Sequence, residues 1–370
     1  MNKSNIILGG IMKKIGIITI NDNNNYGNRL QNYAVQKKLE KLDMQSETIK
    51  NIAELNTKNL MLLRYCKYIL KNIKKPKRTI RNKKFNEFNK NIIFSDKTIN
   101  AYSVRFEKEY DCFITGSDQV WNPTVGRFRD VDVLAMVRKK DKIAFAASLG
   151  ISKFPEDKKI YAKEKLKTFK AISVREDAGK KIVEELTGRK DVQVLVDPTM
   201  LLSADEWDKV AKKPEQLKTD KYILNYFLGE LSDERKKEID RVAKENDCEV
   251  INILDKKSPF YQTGPSEFLY LEKKAFLICT DSFHSSVFAI LYNRPFIIFD
   301  REDSLASMNS RIETLINKFN LKNRKFTGKI TEENLKYDYT EAYEILEKER
   351  KKSDDFLRRA LDIDEQEGAR

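Results

Sequence analysis

The sequence predicts an α/β protein of two Rossmann-like domains facing a central cleft. Short apolar runs of strand length alternate with longer amphipathic runs of helix length along the 370 residues. The alternation restarts after a charged connection between Asp197 and Asp220. Most strand-like runs end in small or polar residues, the pattern by which a parallel sheet presents its loops at the carboxyl edge, where α/β proteins bind ligands. With 40% hydrophobic and 10% aromatic residues, the chain carries enough apolar surface for two cores.

Taken in order, Lys14 to Ile20 reads as the first strand, Asn21 to Asn28 as a polar loop and Arg29 to Leu42 as an amphipathic helix. A basic helical excursion follows at about 55–95. Cys112 to Thr115, Ile143 to Ala147, Ala171 to Val174 and Val192 to Val196 are short buried strands. After the connection, which includes Pro214, Tyr222 to Leu228 reads as a strand and Ser232 to Glu245 as a serine-capped helix. Glu249 to Ile253 is a strand, Ser266 to Lys274 a short helix, and Phe276 to Cys279 and Phe296 to Phe299 are strands again. The domains are therefore expected at 12–202 and 203–335, with a C-terminal helical tail at 336–370. The apolar stretch Ile6 to Met12 is short, lacks a small-residue cleavage site and leads into Lys13-Lys14. It is expected to be a leader-like extension with no secretory role, with Met12 as an alternative start.

The formal charge of +14 is mostly local. Arg64 to Lys90 holds eleven Lys/Arg against one acid, Glu87, leaving about four positive charges net elsewhere. Upstream, Leu60, Leu63, Leu70 and Ile73 recur at roughly helical spacing. The segment therefore reads either as a basic amphipathic helix pair suited to anionic headgroups, or as a solvated excursion. Nucleic acid is not an expected partner, because no reader motif is present and no second basic cluster offers a groove. Cys66, Cys112, Cys248 and Cys279 are far apart, with neither zinc spacing nor a disulfide framework, which suits a reducing cytoplasm. No apolar run approaches the ~20 residues needed to span a bilayer.

Two strand-end loops are rich in hydrogen-bonding side chains. Asn21 to Arg29 and Thr115 to Pro123 contain neither a dinucleotide nor a phosphate-loop fingerprint. Their amides suit sugar hydroxyls, so Asn25, Asn28, Ser117, Asp118 and Asn122 are acceptor-binding candidates, with Tyr26 and Trp121 as rings for a sugar face to stack on. The alternative is ordinary turn chemistry. The chain's single histidine, His284, lies in Thr280-Asp281-Ser282-Phe283-His284-Ser285-Ser286, between a strand-like and a helix-like run. An imidazole at such a junction is the chain's best proton carrier, since its ordinary pKa lies near physiological pH. A histidine merely hydrogen-bonded in a helix's first turn is the competing reading.

Seven segments in order, from about Lys14 to Lys325, resemble the polysaccharide pyruvyl transferase family. They are Gly27 to Ala34, Ile114 to Asn122, Ala146 to Gly150, Ser173 to Glu176, Val196 to Leu202, Thr280 to His284, and Asn309 to Ile312. The resemblance implies a GT-B-like two-domain fold, with acceptor and donor sides on the first and second domains. It also implies transfer of the carboxyvinyl portion of phosphoenolpyruvate onto two sugar hydroxyls as a pyruvate ketal, with no cofactor beyond that donor substrate. His284 would act as acid or base. Arg175 and Arg311 would grip the donor's phosphate and carboxylate, with Ser282, Ser285 and Asn309 beside them and the helix start supplying N–H donors. The acceptor would be a bacterial surface glycan or lipid-linked saccharide, met at the cytoplasmic face of the membrane. Some relatives carry an arginine two residues before the histidine, where this chain has Ser282, which leaves the donor open. A nucleotide-sugar-dependent glycosyltransferase and a non-catalytic glycan-binding protein are the alternatives.

Overall fold

A computed structural model of the protein describes residues 12–21, 25–51, 76–99, 106–301 and 309–363. The apolar positions Leu60, Leu63, Leu70 and Ile73, and all of the basic run before Pro76, lie outside the described residues. The fold is α/β with two parallel sheets. Across the first the strands are β3 (Phe94–Ile99), β2 (Gln45–Asn51), β1 (Lys14–Ile18), β4 (Cys112–Thr115), β5 (Asp141–Ala147), β6 (Ala171–Val174) and β7 (Gln193–Val194), and across the second β11 (Phe296–Ile298), β10 (Leu277–Thr280), β8 (Tyr222–Tyr226) and β9 (Glu249–Asn252).

In the first sheet, β1 (Lys14–Ile18) leads to α1 (Tyr26–Glu40), β2 (Gln45–Asn51), α2 (Pro76–Phe88) and β3 (Phe94–Ile99). The chain then returns to the other side of β1 as β4 (Cys112–Thr115). From there β5 (Asp141–Ala147), α3 (Lys159–Leu166), β6 (Ala171–Val174), α4 (Asp177–Thr187) and β7 (Gln193–Val194) complete the sheet. β4 is buried along its whole length, as is nearly all of β1 and β5, which is why they read from sequence as continuous apolar runs.

β2 and β3 were not legible in that way. β2 has the polar sequence QSETIKN, and its Thr48 hydroxyl is satisfied inside by Asn32 (2.7 Å) and Gln36 (2.9 Å) of α1. β3 is an edge strand with exposed central residues. α1 begins three residues earlier than expected, because the Asn25 side chain accepts from the Gly27 N–H and caps the helix. Tyr26, Gly27 and Asn28 therefore belong to a buried helix and not to a loop.

After the short helix α5 (Ala204–Asp208), the second sheet runs through β8 (Tyr222–Tyr226), α6 (Asp233–Glu245), β9 (Glu249–Asn252), α7 (Pro265–Lys274) and β10 (Leu277–Thr280). It closes with α8 (Phe283–Leu291) and β11 (Phe296–Ile298), followed by α9 (Asn309–Lys318) and α10 (Glu332–Leu335). Both sheets have a topological switch point, where successive connections depart to opposite sides. It falls between β1 and β4 in the first sheet and between β8 and β10 in the second.

The expected C-terminal tail is one long helix, α11 (Thr340–Ala360), tied to both sheets. Arg350 donates to the carbonyls of Met200 (2.7 Å) and Leu202 (2.8 Å), and Phe356 stacks on Phe145 of β5. Tyr343 donates to the carbonyls of Ile290 and Leu291 beside the second sheet. Trp207 is buried at the same seam between Tyr33 of α1 and Phe288 of α8, with its indole N–H on the Thr199 carbonyl at 3.0 Å. Among the described residues, no helix is long and apolar enough to cross a membrane.

Candidate functional site

The two switch points face each other across a cleft with a cavity of about 330 Å³. The first sheet contributes Asn25 and Asn28 from the start of α1, Asp118 and Gln119 from the loop after β4, and Arg127 beyond it. The second contributes Leu228 after β8, Asp281 to His284 at the β10–α8 junction, Arg301 after β11, and Arg311 in α9.

His284 crosses the cleft. It stands on α8 of the second sheet, yet its Nε2 lies 3.6 Å from Oδ2 of Asp197, just after β7 of the first. Its ring presses on the start of α1 so closely that a Cβ built on Gly27 would sit 2.5 Å from the imidazole Cγ, and nearer still to Nδ1 and Cε1. Only glycine leaves room for the ring there.

Asp197 is anchored from several directions. It accepts from the Thr199 backbone N–H (3.0 Å) and hydroxyl (2.7 Å), from the Ser117 hydroxyl (3.3 Å), and from Arg175. Burial alone would raise its pKa, but the Arg175 charge and His284 hold the carboxyl well below the ordinary range. It is therefore an anion at all physiological pH values.

The structure places Arg175 under the cleft floor and not in its lining. The guanidinium reaches Asp197 through Nη1 and Asp118 through Nη2 (3.2 Å), and stacks 4.4 Å from the Phe283 ring. Burial would lower its pKa, but the two carboxylates keep it above its ordinary value. It thus ties residues of the first sheet to the Phe283-His284 step of the second.

Among the described residues, the arginines that do line the cleft are Arg127, Arg301 and Arg311. Arg301 is held by Asp281 (Nε to Oδ2, 3.2 Å), and Asp281 in turn accepts from the backbone N–H groups of Leu228 and Gly229 at 2.7 and 2.8 Å. Gln119 brings its amide within 2.7 and 2.9 Å of the Arg311 guanidinium. Burial and nearby Arg175 pull the Arg311 pKa down to about 10. Its cationic form gains from any anion that enters beside it. Asp118, held below its ordinary pKa by Arg175, His284 and Arg311 against the opposing effect of burial, adopts φ 64° and ψ −169°. That sparsely populated backbone region costs ~1–3 kcal/mol and clusters at functional sites.

The other sequence candidates separate into two groups. Asn25, Asn28, Asp118, Ser282, His284 and Arg311 meet at the cleft. Tyr26 is a core residue, sandwiched between Phe85 and Phe268 with its hydroxyl on the Thr263 carbonyl, so no sugar can stack on it. Trp121 is likewise buried, its indole N–H on the Asp132 carbonyl at 3.1 Å. Ser117 supports Asp197 and the Ala146 carbonyl, and Asn122 caps the turn at Thr124. Ser285 faces inward and donates to buried Glu272 at 2.6 Å. Asn309 opens α9 two residues before Arg311.

Sequence reasoning did not single out Asp197, Arg127, Gln119, Asp281 or Arg301. Asp197 and Asp281 carried a usable signal, each being an acid at a strand end inside a quoted motif. Arg301 also stands just after an apolar strand, but outside the seven segments. Among the described residues, no group of three or more His, Cys, Asp or Glu is placed to hold a metal ion.

The family model for polysaccharide pyruvyl transferases matches residues 25–304, from the start of α1 to just past β11. The chain belongs to this family. No curated protein matches it. Among solved structures, the chain is similar to one from Listeria monocytogenes assigned as a putative UDP-N-acetylglucosamine 2-epimerase, with 13% identity, TM-score 0.51, and 94% and 91% of the two chains covered. It is also similar to the UDP-GlcNAc 2-epimerase from Neisseria meningitidis bound to UDP-GlcNAc (14%, 0.50, 95% and 100%) and to the one from Methanocaldococcus jannaschii (14%, 0.50, 90% and 92%). At such identities the likeness concerns the GT-B-like fold alone. The glutamate of the family-like Ser173 to Glu176 segment has a structural task, accepting from the backbone N–H groups of Leu149 (2.7 Å) and Gly150 (2.9 Å).

Proposed function

We propose that the cleft binds phosphoenolpyruvate against Arg127, Arg301 and Arg311 and transfers its pyruvyl group to two hydroxyls of a surface-glycan sugar as a ketal. The observation that carries this reading is the union, in one cavity, of the only histidine with three arginines suited to a donor bearing both phosphate and carboxylate. With Asp197 an anion at Nε2, the favoured tautomer carries its proton there. His284 itself lines the cleft, where it meets substrate.

The steps balance as follows. A proton reaches the methylene carbon of the enol phosphate and generates an oxocarbenium-like centre at the neighbouring carbon. The first sugar hydroxyl attacks that carbon and loses its proton, the carbon–oxygen bond to phosphate breaks and restores the oxocarbenium-like centre, and the second hydroxyl attacks it and gives up its proton to close the ketal, so that one hydroxyl proton replaces the one placed on the methylene carbon and the other leaves with phosphate. His284 carries protons in and out. Asn25, Asn28 and Asp118 on the first-sheet wall would orient the hydroxyls. Arg175, expected from the resemblance to hold the donor, instead positions Asp197 and Phe283 beneath it.

Thermal unfolding with phosphoenolpyruvate, against UDP as control, tests the donor. A ligand at a hundred times its Kd adds about 2.7 kcal/mol to native stability. Phosphoenolpyruvate should raise the Tm of wild type and of His284→Ala, but not of Arg311→Ala. A rise with UDP and none with phosphoenolpyruvate would reassign the protein to nucleotide-sugar chemistry.

A further inference from the structure

A second concave surface lies away from the cleft, on the outer face of α2. It is a groove of about 490 Å³ whose one wall is α2 with Lys83 and Lys84 and the turn after it with Lys90, and whose other wall is the connection between the two sheets with Lys212 and Lys213. The two lysine clusters are more than a hundred residues apart in sequence, which is why no groove was visible there. The fold joins them: the Lys212 N–H donates to the Ser266 carbonyl at the start of α7, and Lys84 pairs with Glu267 at 2.5 Å.

α2 is itself firmly seated. Phe85 and Phe88 are buried, Arg81 lies over the Tyr26 ring (4.4 Å), and the Lys77 ammonium donates to the carbonyls of Lys257 (2.6 Å) and Ser258 (3.1 Å). Apart from Ile80, its large apolar side chains are therefore used up in protein packing and are not available for insertion into a bilayer. The lysine face remains. Lys84 and Lys212 have glutamate partners, the latter at a loose 3.9 Å, whereas Lys83, Lys90 and Lys213 are exposed and have no ion-pair partner among the described residues.

We propose that this groove docks the protein on the phosphate headgroups of an anionic lipid surface. Three features favour lipid over a nucleic acid. Glu87, Glu215 and Glu267 interrupt the groove, so a continuous polyanion would meet repulsion that a discrete headgroup avoids. The basic surface is pocket-sized and does not extend into a stripe. Ile80, 40% exposed in the groove wall, suits the boundary between headgroups and acyl chains. The cleft is within reach of the same element, since α2 packs on Tyr26 and the adjacent Asn25 lines the cleft. This proposal does not depend on the identity of the donor.

Co-sedimentation with phosphatidylcholine vesicles, with and without phosphatidylglycerol, provides the test. Each lysine near an anionic surface contributes roughly fivefold in binding, so the combined Lys83→Glu, Lys90→Glu, Lys213→Glu variant should bind the anionic vesicles at least on the order of a hundredfold more weakly. A control variant with Lys153, Lys163 and Lys167 changed to Glu should bind like wild type, and both should keep the wild-type Tm. Equal loss in the control would reduce the effect to net charge and overturn the proposal. So would tighter binding to a DNA oligonucleotide than to the vesicles, abolished by the groove variant. Stabilisation by inorganic pyrophosphate through the same lysines with no vesicle binding would make the groove a soluble-phosphate site and overturn the lipid assignment.

Discussion

Gly27→Ala is the sharpest perturbation the structure offers, because it adds one methyl group between α1 and His284. The new Cβ would lie 2.5 Å from the imidazole Cγ, against the 3.4 Å at which ordinary contact begins, so the ring or the helix must retreat by about 0.9 Å or more. The ring has little room, with Asp197 on its far side and only 5% of the residue exposed. Overpacking of this kind costs ~1–3 kcal/mol, partly offset by the ~0.5–1 kcal/mol that alanine gains over glycine in a helix. The net loss of stability should therefore be small, about 0–2.5 kcal/mol. The effect on geometry should be large, since a displacement near 1 Å can lower a rate ~100-fold. The single histidine makes the displacement directly visible: one imidazole gives one set of 15N and Hε1 resonances. Gly27→Ala should shift that set while leaving the fold intact, and should abolish any transfer activity. An unshifted imidazole spectrum in a folded Gly27→Ala protein would refute the close packing of α1 on His284.

Other expectations follow from buried charges and packing. Asp197→Asn leaves Arg175 with Asp118 alone, and breaking such a buried pair costs ~3–5 kcal/mol. Because the folded-state pKa of Asp197 lies below the unfolded value of about 3.9, its stabilisation is complete above that pH and fades below it. The Tm gap between wild type and Asp197→Asn should accordingly narrow in acid. Glu272 has the opposite sign: burial raises its pKa well above the ordinary value, with the Ser285 hydrogen bond opposing only in part. The folded state then holds a proton that the unfolded state gives up, so stability falls by up to about 1.4 kcal/mol per pH unit above roughly 4.5 until the folded-state pKa is passed. Glu272→Gln should match wild type in Tm near pH 4.5 and exceed it at pH 8; equal values at both would show that burial does not perturb this carboxyl. Trp207→Ala should cost ~3–5 kcal/mol by denaturant unfolding, since it removes an indole buried between α1 and α8.

Local pattern carried much of the fold. Fully buried parallel strands have to be apolar along their length, so β4, β5, β6 and β10 stood out as short apolar runs without any tertiary information. β2 did not, because its Thr48 hydroxyl is satisfied by Asn32 and Gln36, whose proximity no linear pattern reveals, and β3 did not, because it is an edge strand with exposed central residues. The asparagine-rich first loop misled for a related reason. Asn25 is a helix cap, and once it starts α1 the next residue, Tyr26, is carried into the core between two phenylalanine rings.

The sequence by itself determined the two-sheet α/β architecture, the family, and the histidine as the proton carrier to consider, since each depends on residue types in local order. The tertiary structure decided how charges are shared. It placed Arg175 beneath the cleft floor by surrounding it with Asp197, Asp118 and Phe283, and set Arg127, Arg301 and Arg311 in the cleft lining. It paired His284 with an aspartate 87 positions away on the other sheet, and made a lysine groove from two distant segments. Coulomb interactions and close packing depend on distance in space, and which side chains come within 4 Å of one another is settled only when the two sheets meet.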